Sequence, residues 1–289
     1  MPSSEDLKVN AIAGAISGLV ELSFMYPMDL VKTRMQGIKP KSTATYSSVL
    51  DSFKTITRNE GVRRLYRGMP MPLVTVLPAN AVYFVSYDLF SKGLSVKENV
   101  QRDYMAQGVA GSLATIARTT LINPAEVVKQ RMQMYKSPYR SSLHCLQTVF
   151  QKEGLWAFYR SYPAQVAIDI PFGAIYFVVY SLCQKMRDAN DPFNAVAHCV
   201  CGAVSGGAAA AVTAPIDVCR TLVNTQESAT LVFLDKSRIK GLTHAFFVVY
   251  RVHGLKGFKR GLAARIVYYM PSAGFSILTY EFMKYSMVD

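Results

Sequence analysis

Pro27-Met28-Asp29-Leu30-Val31-Lys32 is written again as Pro124-Ala125-Glu126-Val127-Val128-Lys129 and as Pro215-Ile216-Asp217-Val218-Cys219-Arg220. The prolines stand 97 and then 91 residues apart, and self-similarity at a fixed long period marks copies of one supersecondary unit. Three such units fill the 289 residues, at 1–100, 101–190 and 191–289. In each copy the acid and the base lie three residues apart, on one face of a helix. A proline inside that helix removes a backbone hydrogen bond and bends it, so three such helices can converge at one end. Each helix then offers its acid to one neighbour and its base to the other. Asp29, Glu126, Asp217, Lys32, Lys129 and Arg220 suffice for a closed ring of three ion pairs, strong in a partly dry interior yet breakable.

Composition supplies the setting for that ring. The chain is 51% hydrophobic and only 18% charged, which is membrane composition. Six apolar stretches, two per unit, lie near 8–27, 70–90, 104–124, 161–182, 195–215 and 261–283, each about the 20 residues that a bilayer crossing requires. The fold predicted is an all-α membrane protein of six transmembrane helices in three pseudo-threefold repeats, with a short amphipathic helix between the two spans of each. Glycines at 14, 111 and 202, followed four residues later by Gly18, Thr115 and Gly206, provide the small-residue spacing that lets membrane helices approach closely. A second proline recurs in the even helices as Pro78, Pro171 and Pro271, with Gly68, Ser161 and Gly261 ten residues before it. Isolated charges at membrane depth, Glu21, Arg118, Asp169 and Arg265, each cost about 2.5–3.5 kcal/mol on insertion scales and should face an interior or one another.

A formal charge of +13 could mean nucleic-acid binding, but Lys39, Lys41, Lys54, Arg58, Arg63 and Arg64 are spread through polar connectors instead of clustering among aromatic platforms. A basic girdle against anionic lipid fits better, cardiolipin included, with no nucleic-acid partner. Five cysteines without a CxxC pair offer neither a disulfide framework nor a structural zinc site. The short acidic N-terminus lacks the basic flank of a cleavable signal. No nucleophile–base set, nucleotide motif or resident metal set stands out, so neither an enzyme nor a cofactor is expected.

With these motifs in place the chain resembles the mitochondrial carrier family from end to end. Its pattern, P-x-[D/E]-x-x-[K/R]-x-[K/R] and then [D/E]-G-x-x-x-x-aromatic-[K/R]-G, is complete at Pro27–Arg34 and Glu60–Gly68. Repeat two carries Ser161 for the last glycine; repeat three carries Leu222 for the second base, His253 for the acid and Lys259 for the aromatic. The resemblance implies a multi-pass carrier of the inner mitochondrial membrane that works by alternating access. It makes the six-charge ring a matrix gate braced by Gln36 and Gln133, with Asn224 as the third brace. It also implies a cytoplasmic gate, present here only as Asp88, Glu281 and Lys284, in which Lys284 would pair with Asp88.

Within that family the chain is most similar to mitoferrins, the carriers that bring ferrous iron into the matrix. The likeness lies in Asn123–Tyr135, Ala157–Tyr162, Pro215–Glu227, Met25-Tyr26-Pro27 and Tyr269-Met270-Pro271-Ser272. The family places its substrate contacts on the even helices shortly before the recurring proline: here Thr75 and Val76, Ile168 and Asp169, Tyr268 and Tyr269. Glu21 and Arg118, each six residues before a motif proline, join them. A transported metal would draw on Asp169, Met25, Met270 and His198. Leu22, Asn80, Arg118, Ile168 and Asp169 depart from the mitoferrin pattern, and an arginine repels a divalent cation that a histidine can bind. If Glu21 and Arg118 neutralise each other, Asp169 is left for a cation; if Arg118 is free, a zwitterion such as S-adenosylmethionine fits. A member of the fold that transports nothing, or leaks protons, is the third reading.

Overall fold

The computed structural model describes residues 4–37, 48–93, 104–135, 137–186, 195–225, 239 and 241–272. Among these residues every regular element is helical. Repeat one contains α1 (Ser4–Gln36), α2 (Val49–Glu60) and α3 (Pro70–Gly93). Repeat two contains α4 (Tyr104–Gln133), α5 (Ser142–Glu153), the single turn α6 (Trp156–Tyr159) and α7 (Tyr162–Lys185). Repeat three contains α8 (Ala195–Asn224), α9 (Leu242–His253) and α10, described over 262–272.

The helices α1, α4 and α8 run unbroken through Pro27, Pro124 and Pro215. They continue nine residues beyond those prolines, to Gln36, Gln133 and Asn224. The apolar spans read from the sequence stop earlier, because the polar residues past each proline find partners across the bundle rather than in lipid. All three helices meet pairwise, while α3 packs along α4 and α7 along α8. By length and composition Val62–Gly93, Trp156–Lys185 and Cys199–Asn224 can cross a membrane. The helix α4 is diluted by Gln107, Arg118 and Asn123, as befits a helix that lends a polar face to the interior.

The short helices repeat one design. Ser48 caps α2 by accepting from the Asp51 amide at 3.2 Å, and Ser141 caps α5 by accepting from the His144 amide at 3.1 Å; each satisfies an otherwise orphan N–H. Each helix ends on a glycine with positive φ: Gly61, Gly154 and Gly254. Their apolar faces close three equivalent small cores, Leu30, Val31, Ile56 and Leu65 in the first and Val127, Val128, Cys145 and Val149 in the second. The third holds Val218, Cys219, Leu222 and Val249.

The glycine replaced in repeat two turns out to be dispensable there. Gly68 and Gly261 have φ of 90° and 70°, whereas Ser161 sits at φ −90°. All three repeats have a helical turn here, 3-10 at Val62–Tyr66 and Gly254–Lys259, but only in repeat two do the residues after it, Arg160 and Ser161, keep right-handed helical geometry into α7, so no left-handed residue is needed.

Candidate functional site: an ionic ring beneath a mixed-charge layer

Where α1, α4 and α8 converge, the structure brings all six motif charges together. Lys32 Nζ lies 3.1 Å from Asp217, Lys129 Nζ 3.1 Å from Asp29, and Arg220 Nη2 3.6 Å from Glu126. Every pair joins two different helices, and the three pairs close the ring. The pairs are unequal, since Lys129 also holds Glu126 of its own helix at 2.7 Å. Gln36 donates to Asp217 at 2.8 Å and Gln133 to Asp29 at 2.9 Å. The third brace fails: the Asn224 amide, one methylene shorter, donates to Gln130 at 2.9 Å and not to Glu126. All of these groups are largely removed from water, where a charge-assisted hydrogen bond contributes about 1.5–3 kcal/mol.

A second polar layer lies above the ring. Asp169 on α7 accepts from Thr119 Oγ1 at 3.2 Å and from Gln165 Nε2 at 2.5 Å. Among the described residues no base forms an ion pair with it. Arg118, the neighbour of Thr119, points the other way and donates through Nε to Asn80 Oδ1 of α3 at 3.2 Å. Glu21 accepts from Ser272. Mutual neutralisation of Glu21 and Arg118 is therefore not what the structure shows; each meets a neutral partner.

Tyr268 and Tyr269 lie between layer and ring. The Lys32 ammonium stands 5.7 and 5.4 Å from their ring centroids, and Phe172, one turn beyond Asp169, meets Tyr269 at 5.0 Å. Thr75 and Val76 are half-buried, the threonine hydroxyl bonded to the Met71 carbonyl at 3.0 Å. Ile168 is buried and so packs rather than lines the interior.

Of the four residues that a transported metal would draw on, the structure describes the side chains of Asp169, Met25 and Met270. Met25 is buried, and Met270 is the side chain packed against Gly207 of α8. The side chain of His198 lies outside the described residues, among which no cluster of three His, Cys, Asp or Glu could hold a metal ion. Of the outer network, Glu281 and Lys284 also lie outside the described residues. Asp88 is held by Lys92 of its own helix at 2.6 Å, both exposed.

The family description "Mitochondrial carrier protein" fits residues 4–98, 100–189 and 191–289. The chain belongs to the mitochondrial carrier family. This carrier is 42% identical over 287 residues to Mitoferrin-1 of Homo sapiens, covering 99% of the chain and 85% of that relative. It is 44% identical over 291 residues to Mitoferrin-1 of Danio rerio, covering 100% and 88%. It is 38% identical to the Mitoferrin of Caenorhabditis briggsae, covering 98% and 93%. The carrier is thus a multi-pass protein of the inner mitochondrial membrane.

Two features of this carrier escape its motifs. Arg265 on α10 is buried, reaches Asp217 through Nη1 and donates to Thr213 Oγ1 at 2.7 Å. It adds a fourth base to the ring. The repeats carry Pro72 and Gln165 at the equivalent positions, so alignment of the three units isolates it. The other feature explains repeat three. Arg34 grips Glu60 with both Nη atoms, and Arg131 grips Glu153 at 2.5 and 3.2 Å. Leu222 and His253 occupy the corresponding places, so both partners of one buried pair are replaced together. Leu222 packs into an apolar core, and exchange of both members of a buried pair is close to neutral.

Proposed function

We propose that this carrier imports ferrous iron into the mitochondrial matrix by alternating access. The six-charge ring serves as the matrix-side gate and Asp169 as the carboxylate that receives the cation. One observation carries the reading: Asp169 sits half-buried just above the ring with only neutral partners, Thr119 and Gln165. A carboxylate at that depth, held by neutral donors and in no ion pair among the described residues, is a place where an incoming cation gains a direct partner. Full-length likeness to proteins named mitoferrin supports iron as that cation. With the ring closed, the substrate layer faces the opposite side; entry of cargo then breaks the ring and exposes the layer to the matrix. The outer network, reduced in the sequence to Asp88, Glu281 and Lys284, is in keeping with one-way import.

The test is anaerobic uptake of ferrous iron into proteoliposomes by the wild type and by Asp169→Asn. Saturable uptake that the variant loses supports the reading. Protein that is folded yet carries no iron above empty liposomes refutes it.

Arg118 favours a second reading. Its partner is the Asn80 amide and no acid, so the layer presents both signs and would suit a zwitterion such as S-adenosylmethionine. Inhibition of labelled S-adenosylmethionine uptake by ferrous iron, or its absence, separates the two.

A further inference from the structure

We infer that the iron travels with a small anionic ligand bearing carboxylate or phosphate oxygens, and that Arg118 holds that ligand while Asp169 faces the metal. The inference rests on the iron reading and specifies the cargo.

The first ground is the charge of the interior. With Arg265, the ring holds four bases against three acids, one positive charge in excess. The layer above adds Asp169, Glu21 and Arg118, one negative charge in excess. Ring and layer together are neutral. A bare dication would leave the occluded interior at plus two, next to five fixed bases, and uncompensated charge in a dry membrane interior is strongly opposed. A dication that brings its own anion restores the balance.

The second ground is the geometry of Arg118. Its guanidinium spends one donor, Nε, on a neutral amide oxygen. The paired Nη groups form the fork that matches carboxylate and phosphate oxygens two at a time, which is the usual reason for an arginine in place of a point charge. Thr119, the next residue, bonds Asp169. Anion-binding and cation-binding groups therefore lie at one level, on either side of α4. A metal–ligand pair engages both at once.

The experiment reconstitutes the full-length chain in liposomes and follows labelled ferrous iron anaerobically in chloride alone, with inorganic phosphate, and with citrate. Entry of labelled phosphate or citrate is measured in parallel, which separates the two sources of anionic oxygen. The expected result is iron uptake sustained or raised by one of the ligands, with that ligand entering alongside the metal. Arg118→Gln should lower ligand entry about tenfold, the loss of one charge-assisted contact. Arg118→Lys, which keeps the charge without the fork, should retain part of it. Iron uptake that simply follows the free ion, with no labelled ligand entering, overturns the inference and leaves the iron reading standing. Ligand entry undiminished in Arg118→Gln overturns the role of Arg118. No iron uptake in any medium, from protein with wild-type thermal stability, removes the iron reading and this inference with it.

Discussion

Arg265 and Lys32 share the carboxylate of Asp217, one reaching it from α10 and the other from α1. That sharing makes Asp217 the most heavily held acid of the ring, with Gln36 as a third donor. Glu126, in contrast, receives its neighbour's base only at 3.6 Å. The ring is threefold in sequence and unequal in energy.

Truncation of the three ring bases should therefore grade. Lys129→Ala, which breaks contacts to both Asp29 and Glu126, should lower the apparent Tm in detergent the most. Arg220→Ala, which breaks the longest pair, should lower it the least, with a spread of about 1–3 kcal/mol across the series. Thermal unfolding of the purified variants decides it; an equal loss for all three would contradict the unequal ring.

Arg265→Gln should destabilise the closed ring by about 2 kcal/mol, since Lys32 and Gln36 remain on Asp217 while the Thr213 contact weakens. A shorter side chain at a fully buried position also leaves a gap. The same unfolding assay reports the loss, and a neutral result would place Arg265 outside the ring's energetics.

Leu222→Arg alone puts an unpaired charge into the apolar core of repeat three and should cost about 3 kcal/mol or more. Adding His253→Glu rebuilds the arrangement seen between Arg34 and Glu60, and the double variant should regain part of that loss. A double-mutant cycle measures the coupling; zero coupling would sink the account of the paired replacement.

Gly68→Ala should destabilise by about 1–3 kcal/mol, from the positive φ and from the close approach of the Tyr26 hydroxyl and Met132 Cβ, both 3.0 Å from an added Cβ. Ser161→Ala should be near neutral by comparison. Unfolding of the two variants side by side tests the claim that repeat two no longer needs the glycine.

Cys145, on α5 and buried, has its thiol pushed up to about 12 by loss of solvent. The reactive thiolate is therefore scarce below that pH, and its share rises only as the pH climbs toward 12. Folded protein at pH 8 should leave Cys145 unlabelled by iodoacetamide, and denatured protein should label it fully; mass spectrometry of the peptide reads both.

Much of this architecture was legible in the residues themselves. The threefold motif located α1, α4 and α8 and all six ring charges, because a three-residue spacing on a helix has one geometric meaning. The amphipathic stretches between the paired spans of each repeat located the short helices as well. What stayed hidden depends on contacts between repeats. Arg265 reads as one more lone charge until α10 is packed beside Asp217. Asn224 reads as a conservative brace until its missing methylene sends it to Gln130. The Glu21–Arg118 pair looked natural from equivalent positions, yet Ser272 and Asn80 are nearer partners. Ile168, Met25 and Met270 were placed by register alone, which does not show that Ile168 and Met25 are buried or that Met270 lies against Gly207.

The exchange of an arginine–glutamate pair for Leu222 and His253 has a historical side. If three units descend from one ancestral segment, the copies that retain the pair record the starting state. Either single change would have stranded a charge in a water-poor pocket. Loss of the arginine first leaves a carboxylate at a helix end, where protonation or a counterion can relieve it; loss of the carboxylate first leaves a guanidinium that cannot shed its proton. The easier route therefore runs through leucine before histidine, an order that reconstructed ancestral chains can check.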